Sequence, residues 1–430
     1  MIRTIIPTLI GLIVLAAQPP TPNAASVEAC LEKPTAKCTL WLAEIELQKV
    51  HPNLHFDNVK LGIGEAYAYL GRDDAALAIA KTMKREQAGN KIRSTIAYRA
   101  VLAGDLEADR QMILKRWGAS GQARMFAIRA TSAAARDKLE VARTYVEWAK
   151  DAARRAEEAE GEAFSDGALV QALVRTGSPD DALEMAHRHS DPYRRAQSLL
   201  DIALFFARTD GTRAEAVLKD AAIARANAGD QAQFLVIQEA GIWATLGNGS
   251  RTLQLIRQQN DERLRMGTLI EAVKAAARAG HIGLVDDLVG ETDDPDWQAH
   301  AYSSCAAAAA RRDPAADDPC LRRARSLADD MLARNGGSLG EATEATLHAI
   351  TDLAIAESLR GDHQMSRRLA TVFRKRTTTW FVDTQVVRAH ISQRSYRSAL
   401  QLALSLRGPS DKAKMLGRLA SRLAWEELQK

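Results

Sequence analysis

Apolar residues recur along this chain with the spacing of amphipathic helices, and the helices themselves recur with a fixed period. The stretch from Gly177 to Ala186 contains a turn, an acidic helix start and an amphipathic helix, and a second apolar helix follows from about Arg194 to Ala207. Candidate turns of this kind are Gly71, Gly104, Asp137, Gly177, Gly247, Gly280, Gly361 and Arg394. Several neighbouring turns are 33 residues apart, which predicts a solenoid of helix hairpins.

Three positions after each turn predict the core of the repeat. Eight residues after the turn stand Ile79, Met112, Tyr145, Met185, Leu255, Leu288, Leu369 and Leu402. Nine residues after it stand Ala80, Ile113, Val146, Ala186, Ile256, Val289, Ala370 and Ala403. The side chains twenty-six residues after it are small: Ala97, Ala130, Ala163, Ala203, Val273, Ala306, Val387 and Ala420. Because small side chains let helix axes approach closely, we predict an all-α fold, an α-solenoid or superhelix of antiparallel helix hairpins with a period near 33 residues.

The pattern divides the chain into three segments. Residues 1–25 are a predicted signal peptide, 26–56 an N-terminal cap and 57–430 the solenoid, with an irregular insertion near 313–360. Thr39–Val50 and Asn58–Leu70 are predicted to form the opening helix pair, and Thr212–Asn227 and Gln231–Leu246 form a later pair without a clear turn signal. No alternating β-branched run occurs, so we predict no strands.

The first residues resemble a secretory signal. Arg3 precedes an apolar run from Ile5 to Ala17, which is shorter than the roughly 20 residues that a membrane span needs. Cleavage after Ala17 or Ala25 predicts a periplasmic or secreted protein with no membrane span after cleavage. An uncleaved N-terminal anchor is the alternative.

The cysteines fit export. Cys30 and Cys38 are close in the chain, as are Cys305 and Cys320, and an even number of cysteines behind a signal peptide predicts two local disulfides. Neither pair has the C-x-x-C spacing or the nearby histidines of a metal site. Because Cys305 also falls on a repeat core position, a buried free thiol is the alternative for that pair.

The charge balance limits the class of partner. Lys and Arg number 58 and Asp and Glu 54, which gives a net charge of +4, whereas a general nucleic-acid binder normally has a strongly basic stripe. We therefore predict no nucleic-acid partner. The pairs Asp73-Asp74 and Asp180-Asp181 could serve acid/base catalysis or calcium binding, but their place at helix starts favours capping of the helix dipole.

No catalytic arrangement is predicted. The run Gly336 to Gly340 matches the G-x-S-x-G nucleophile pattern, which requires a preceding strand, whereas a helix from Leu321 to Arg334 is predicted there. Ser338 with Glu341 fits a capping box instead. The histidines are scattered along the chain. We expect a protein that is not an enzyme and has no cofactor and no metal.

The repeats resemble the tetratricopeptide type of α-solenoid. In that family a small residue follows the turn glycine by five positions, as Ala76, Ala182 and Ala399 do here, with Ser366 and Thr252 close to the pattern. The small position of the next first helix is matched by Ala97, Ala130, Ala203, Ala306 and Ala420. The resemblance covers most of 57–428, although the family's proline at the end of the second helix is missing and two insertions break the register. HEAT-like packing is the alternative.

The resemblance implies that a protein or peptide binds along the first helix of each hairpin. Two positions of that helix, twenty and twenty-seven residues after the turn, are expected to face outward on the concave side. The predicted groove residues are Lys91, Tyr98, Arg124, Lys274, His300, Phe381, Arg388 and Lys414, and Leu204 falls on the second position. Both positions carry basic and no acidic residues, so a groove for a possibly acidic ligand is predicted. The alternative is a solvated face whose charges pair with neighbouring carboxylates.

Two functions follow from this sequence. The first is a non-catalytic periplasmic scaffold or adaptor that binds a protein or peptide in the concave groove. The alternative is an accessory of a cell-wall (peptidoglycan) enzyme, similar to the helical superhelix of lytic transglycosylases but without their catalytic domain. A structural spacer would bind no specific ligand. Partner identity and oligomeric state do not follow from the pattern.

Export can be tested directly. The mature protein should lack Met1 to at least Ala17 and should be released by osmotic shock, because a signal peptidase removes the apolar run. N-terminal sequencing of the shock fluid measures this. A soluble product that begins at Met1 contradicts the prediction.

Overall fold

The computed structural model describes residues 24–50, 56–102, 106–135, 137–160, 164, 166–339, 343–373 and 376–428. These residues form 23 α-helices and one 3-10 turn, Gly229–Ala232, and they contain no strand beyond an isolated bridge between Leu339 and Phe373. The predicted all-α solenoid is therefore confirmed. The predicted signal sequence up to residue 23 and the predicted turn Gly104 lie outside the described residues.

Contacts divide the chain into two compact units. The first unit combines residues 1–99 with 394–430, and the second contains residues 100–393. Helices of the first unit are α1 (Ala24–Glu32), α2 (Ala36–Gln48), α3 (Phe56–Tyr69), α4 (Asp73–Lys81) and most of α5 (Glu86–Leu102). The second unit contains α6 (Leu106–Arg116), α7 (Ala119–Ala134), α8 (Leu139–Glu160), α9 (Gly167–Arg175), α10 (Pro179–Arg188), α11 (Pro192–Phe206), α12 (Gly211–Ala226), α13 (Gln233–Thr245), α14 (Gly249–Arg257), α15 (Glu262–Ala279), α16 (Ile282–Val289), α17 (Pro295–Arg312), α18 (Pro319–Arg334), α19 (Glu344–Leu359), α20 (His363–Thr371) and α21 (Arg376–Ser392). The first unit is completed by α22 (Tyr396–Ser405) and α23 (Pro409–Glu427).

The second unit is a stack of helix hairpins in two layers. Each odd-numbered helix from α7 to α19 packs against the helix that follows it and against the next odd-numbered helix. We call α7, α9, α11, α13, α15, α17, α19 and α21 the first-helix layer. The predicted pairing of Thr212–Asn227 with Gln231–Leu246 is wrong, because α12 packs against α11, while α13 packs against α14. The error arose because no turn was recognised between α11 and α12.

The turns are where the sequence places them. Seven of the eight predicted turn residues have a positive φ, between 58° and 94°. They are Gly71, Asp137, Gly177, Gly247, Gly280, Gly361 and Arg394. A residue in this left-handed conformation ends the first helix of a hairpin and redirects the chain into the second, and glycine is the side chain that adopts it without strain.

The predicted core positions are buried with a graded outcome. All eight residues nine positions after the turn are buried, and so are the described members of the small-residue set, Ala130, Ala203, Val273, Ala306, Val387 and Ala420. The position one residue earlier is less regular, since Met112 is 38% exposed and Ile79 and Met185 are half-buried. One helical residue is a rotation of about 100°, which places this position at the edge of the buried face.

Helix starts show the predicted use of carboxylates, with one exception. Asp73 and Asp74 lie in the first turn of α4, and Asp180 and Asp181 follow Pro179 in the first turn of α10. The capping box that we predicted at Ser338 is wrong. The next helix, α19, begins at Glu344, and its N-cap is Thr343, whose hydroxyl oxygen accepts a hydrogen bond from the Thr346 backbone N–H.

In the first unit, the last helix of the chain packs against the first ones. Helix α23 lies along both α2 and α3, which touch each other much less, so the predicted opening pair of α2 with α3 is wrong. At the crossing of α3 and α23, Gly62 lies against Gly417. A Cβ atom added to Gly62 would lie 2.7 Å from the carbonyl carbon of Gly417 and 2.8 Å from the backbone nitrogen of Arg418. The two helices therefore approach each other backbone to backbone.

Both predicted disulfides are present. Cys30 of α1 is bonded to Cys38 of α2, and Cys305 of α17 is bonded to Cys320 of α18. The free-thiol alternative for Cys305 is thus wrong. Among the described helices, none combines the length and the apolar composition that crossing a membrane requires.

The Gly62–Gly417 crossing predicts a stability effect. Gly62→Ala should lower the free energy of unfolding by about 1–3 kcal/mol, because the new methyl group overlaps backbone atoms of α23 that cannot move aside. Gly267→Ala in α15 is the matched control, since an added Cβ there meets no atom within 4 Å. Both changes gain the same helix propensity, about 1 kcal/mol. Urea unfolding followed by circular dichroism measures the difference, and equal stability of the two variants would refute the crossing.

Candidate ligand-binding site

The predicted groove residues differ in their exposure. Lys91, Arg124 and Arg388 are exposed, and Lys274, Phe381 and Lys414 are half-buried. Tyr98 and His300 are each only 6% exposed, so the expectation that they face outward is wrong. A role in binding at the other six positions stays a prediction.

Neighbouring side chains explain why these two residues are buried. His300 lies between Trp297 and His348, with ring centroids 5.7 Å and 5.3 Å away, because α19 covers this face of α17. Tyr98 follows Ile92 and Thr95 at intervals of three residues on α5, and all three are buried. Residues three apart share one face of a helix, so this face of α5 points into the protein.

Three of the predicted basic residues are paired with carboxylates. Salt bridges join the Lys91 Nζ to Glu65 Oε1 at 3.3 Å, the Arg124 Nε to Asp166 Oδ2 at 3.9 Å and the Lys274 Nζ to Glu271 Oε1 at 3.1 Å. The geometry therefore favours the solvated-face alternative at these positions. Their charge is already balanced by side chains of the same unit.

A cavity of 710 Å³ lies in the first-helix layer among α11, α13 and α15. This volume is within the usual range for ligand pockets, about 300–1,000 Å³. Its apolar lining includes Leu204, Phe234, Ile237 and Ile242. Phe234 is 65% exposed, an unusual state for a phenylalanine, which indicates that a ligand surface covers it.

Two arginines give the cavity its charge. Arg208 and Arg278 line it, and neither guanidinium makes a hydrogen bond or an ion pair with any residue that the structure describes. The one carboxylate in the lining, Glu271, is balanced by Lys274. An anionic group entering the cavity therefore meets two cations that have no competing protein partner.

The arginines are not needed to cap the helix ends beside them. The Nε2 of His281 lies 3.1 Å from the carbonyl oxygen of Thr245, at the end of α13. The Nη1 of Arg312 donates to the carbonyl oxygen of Ala277, at the end of α15, at 3.2 Å. Because these side chains already satisfy carbonyls that a helix end leaves unpaired, Arg278 remains available to a ligand.

The sequence analysis missed most of this site. Leu204 was placed on an outward position and does line the cavity, and Lys274 contacts it through Glu271. The residues from α13 were not considered, because the turn between α11 and α12 has no glycine at a positive φ. The signal that could have found it is Asp210, whose carboxylate oxygen accepts from the Arg213 backbone N–H and caps α12.

A second polar cluster joins α17 to α19 but does not have a nucleophile geometry. The Ser304 hydroxyl donates to Asp352 Oδ2 at 2.5 Å, and the same oxygen lies 3.9 Å from His300 Nε2. The carboxylate thus separates the hydroxyl from the imidazole that would have to take its proton. Burial, and then the charges on His348 and Lys274, lower the pKa of His300 to about 3, so this imidazole is neutral at pH 7.

One group of potential metal ligands is occupied by other bonds. The sulfurs of Cys305 and Cys320 lie within 4.8 Å of an Asp318 oxygen, but the sulfurs are bonded to each other. The Asp318 carboxylate accepts from the Cys320 backbone N–H at 2.9 Å and from Arg360 Nη2 at 3.0 Å. This carboxylate therefore caps α18 and holds Arg360.

Comparison with known proteins gives little to add. No family model matches this chain, and no curated protein matches it. A solved structure described as "Circular tandem repeat protein with novel repeat topology and enhanced subunit contact surfaces" is similar to it with 14% identity, covering 94% of this chain and 84% of that chain, at a TM-score of 0.18. At this TM-score the similarity assigns no function.

The buried histidines predict a pH dependence of stability. Burial lowers the pKa of His300 to about 3 and, together with the charge of His363, that of His390 to about 4, against 6.5 when unfolded. Below pH 6.5 the unfolded chain binds protons that the folded chain does not, so the free energy of unfolding falls, by roughly 1–2 kcal/mol per histidine at pH 5. His300→Phe should lose less stability than the wild type between pH 7.5 and pH 5.

Urea unfolding at the two pH values measures this difference. The control is His187→Gln, a change at an exposed histidine, which should keep the wild-type slope. A His300→Phe protein with the wild-type pH slope would show that His300 is protonated in the folded state.

Proposed function

We propose that this protein is a non-catalytic helical-repeat scaffold that binds a protein or peptide segment in the cavity of the first-helix layer. The ligand segment combines a large apolar side chain with a nearby acidic group. The observation that carries the proposal is the cavity itself, in which the apolar wall of Leu204, Ile237 and Phe234 adjoins the unpaired Arg208 and Arg278.

The energetics of the two cavity features are complementary. Covering an exposed phenylalanine contributes about 1.5–3 kcal/mol, and this term does not depend on salt. The guanidinium groups add hydrogen bonds to a carboxylate, about 1.5–3 kcal/mol when charge-assisted, and they also raise the association rate. A ligand with both features is therefore favoured over a purely apolar or a purely acidic segment.

The floor of the cavity is small. Gly241 lies on α13, and a Cβ atom added there would be 3.8 Å from the Cβ of Ala275 and 4.0 Å from the carbonyl oxygen of Glu271, both ordinary contact distances. A side chain at this position grows into the cavity without displacing its neighbours. The volume above Gly241 is therefore the space that a ligand side chain would take.

The proposal places the protein in the periplasm or outside the cell. It is supported by the two disulfides, which persist in oxidising compartments, and by the resemblance of Met1–Ala17 to a secretory signal. A binding role without catalysis is supported by the Ser–His contacts of the described chain. Ser198 with His189 and Ser358 with His390 are buried, which leaves a substrate no access to the hydroxyl groups.

A random peptide library displayed on phage tests the proposal. The wild-type protein should enrich peptides in which an acidic residue stands near a large apolar one. Gly241→Leu should abolish this enrichment because the leucine fills the cavity. Gly283→Leu, in α16 of the other layer, is the matched control and should enrich the same peptides.

Charge reversal gives an independent measurement on the same peptides. Arg208→Glu/Arg278→Glu should weaken binding at least tenfold at low salt, which corresponds to about 1.4 kcal/mol or more. Arg388→Glu, an exposed change on α21 outside the cavity, should leave the affinity unchanged. No enrichment by the wild type, or enrichment that survives Gly241→Leu, would sink the proposal.

A further inference from the structure

The two ends of this chain meet in one helix pair. Helix α2 lies along α23, although more than 350 residues of sequence separate them. The α2 residues Ala36, Leu40, Leu42 and Ala43 are buried. In the second unit the partner of a first helix is the next helix in sequence, but no helix follows α23 in the described residues. Helix α2 takes that place.

A specific polar contact joins the two ends. The backbone N–H of Ala36, the first residue of α2, donates to Glu427 Oε1 at 2.8 Å. The first N–H groups of a helix have no partner within the helix, and its N-terminus favours a negative charge. Glu427 ends its own helix α23, where a negative charge is unfavourable, so its charge is best explained by the N-terminus of α2.

The first disulfide controls whether α1 and α2 act as one body. Cys30 of α1 is bonded to Cys38 of α2, and α1 contacts α22 while α2 packs against α23. The helices are 9 and 13 residues long, a length at which an isolated helix is marginal in water. Without the disulfide, each helix has to hold its own contact with the other end of the chain. Cys30 is buried, whereas Cys38 is half-buried.

We infer that α1 and α2 form a redox-controlled clasp, in which the Cys30–Cys38 disulfide holds the N-terminal helices on α22 and α23. Two thiols are oxidised when the clasp forms, and a small-molecule disulfide takes the two electrons and two protons and leaves as two thiols. A dithiol reverses the reaction: its thiolate attacks one sulfur of the pair, and the Cys30 and Cys38 thiols are regenerated as the dithiol closes to a disulfide. In the reduced state the arm leaves α23, and the apolar side chains that α2 covered meet water.

The inference differs from a local role of the disulfide in what it predicts for the opposite end of the sequence. A purely local staple affects α1 and α2 alone. A clasp also changes the protection of α22 and α23, which contain no cysteine. Backbone hydrogen exchange of α23 therefore separates the two roles.

Hydrogen exchange read by mass spectrometry on the full chain is the test. In Cys30→Ser/Cys38→Ser, peptides from α2 and from α23 should both exchange at least tenfold faster than in the wild type, on the order expected for losing a short-loop disulfide. Peptides from α13 and α15, in the second unit, should be unchanged. The matched control, Cys305→Ser/Cys320→Ser, should accelerate α17 and α18 but not α23.

A second variant tests the contact without touching the cysteines. Glu427→Gln keeps an acceptor for the Ala36 N–H and removes the charge, so it should accelerate exchange at the start of α2 by a smaller factor than the cysteine variant. Unchanged exchange of α23 in Cys30→Ser/Cys38→Ser overturns the clasp. Equal acceleration of α13 and α15 overturns it as well, since the disulfide would then support the whole fold.

Discussion

Close approach of helix axes is the constraint on which this structure depends. Small residues at one position of each repeat, such as Ala130, Ala203 and Ala306, are fully buried where successive helices touch. The same economy of side chains leaves the cavity open, because Gly241 and Ala275 are too small to fill the space among α11, α13 and α15. A chain that packs through alanine and glycine thus obtains tight layers and a binding surface from one compositional choice.

Local features could be predicted from the sequence because they depend on neighbouring residues. A left-handed turn needs glycine or a residue that tolerates positive φ, and the pattern identified Gly177, Asp137 and Arg394 correctly. The disulfides followed from short spacing. The pairing of α2 with α23 could not be predicted, because apolar faces on α2, α3 and α23 are interchangeable in composition and only the completed fold selects among them.

The charges of the binding face show the same division. The sequence analysis found basic residues at outward positions, but whether a cation is free depends on a carboxylate that another helix brings near it. Lys91 is neutralised by Glu65 from α3, while Arg208 and Arg278 remain unpaired among the described residues. Spacing within one repeat contains no information about such contacts between repeats, which is why the cavity arginines were not among the predicted residues.

The pairing of the chain ends has a consequence for the order in which the protein is made. A ribosome releases α1 and α2 first, yet their packing partners α22 and α23 are the last helices to be synthesised. Domains generally fold as their residues emerge, and contacts between distant residues form late because the intervening chain must first be ordered. The earliest part of this polypeptide therefore waits through the whole of translation, and its N-terminal helices are among the last to reach their native place.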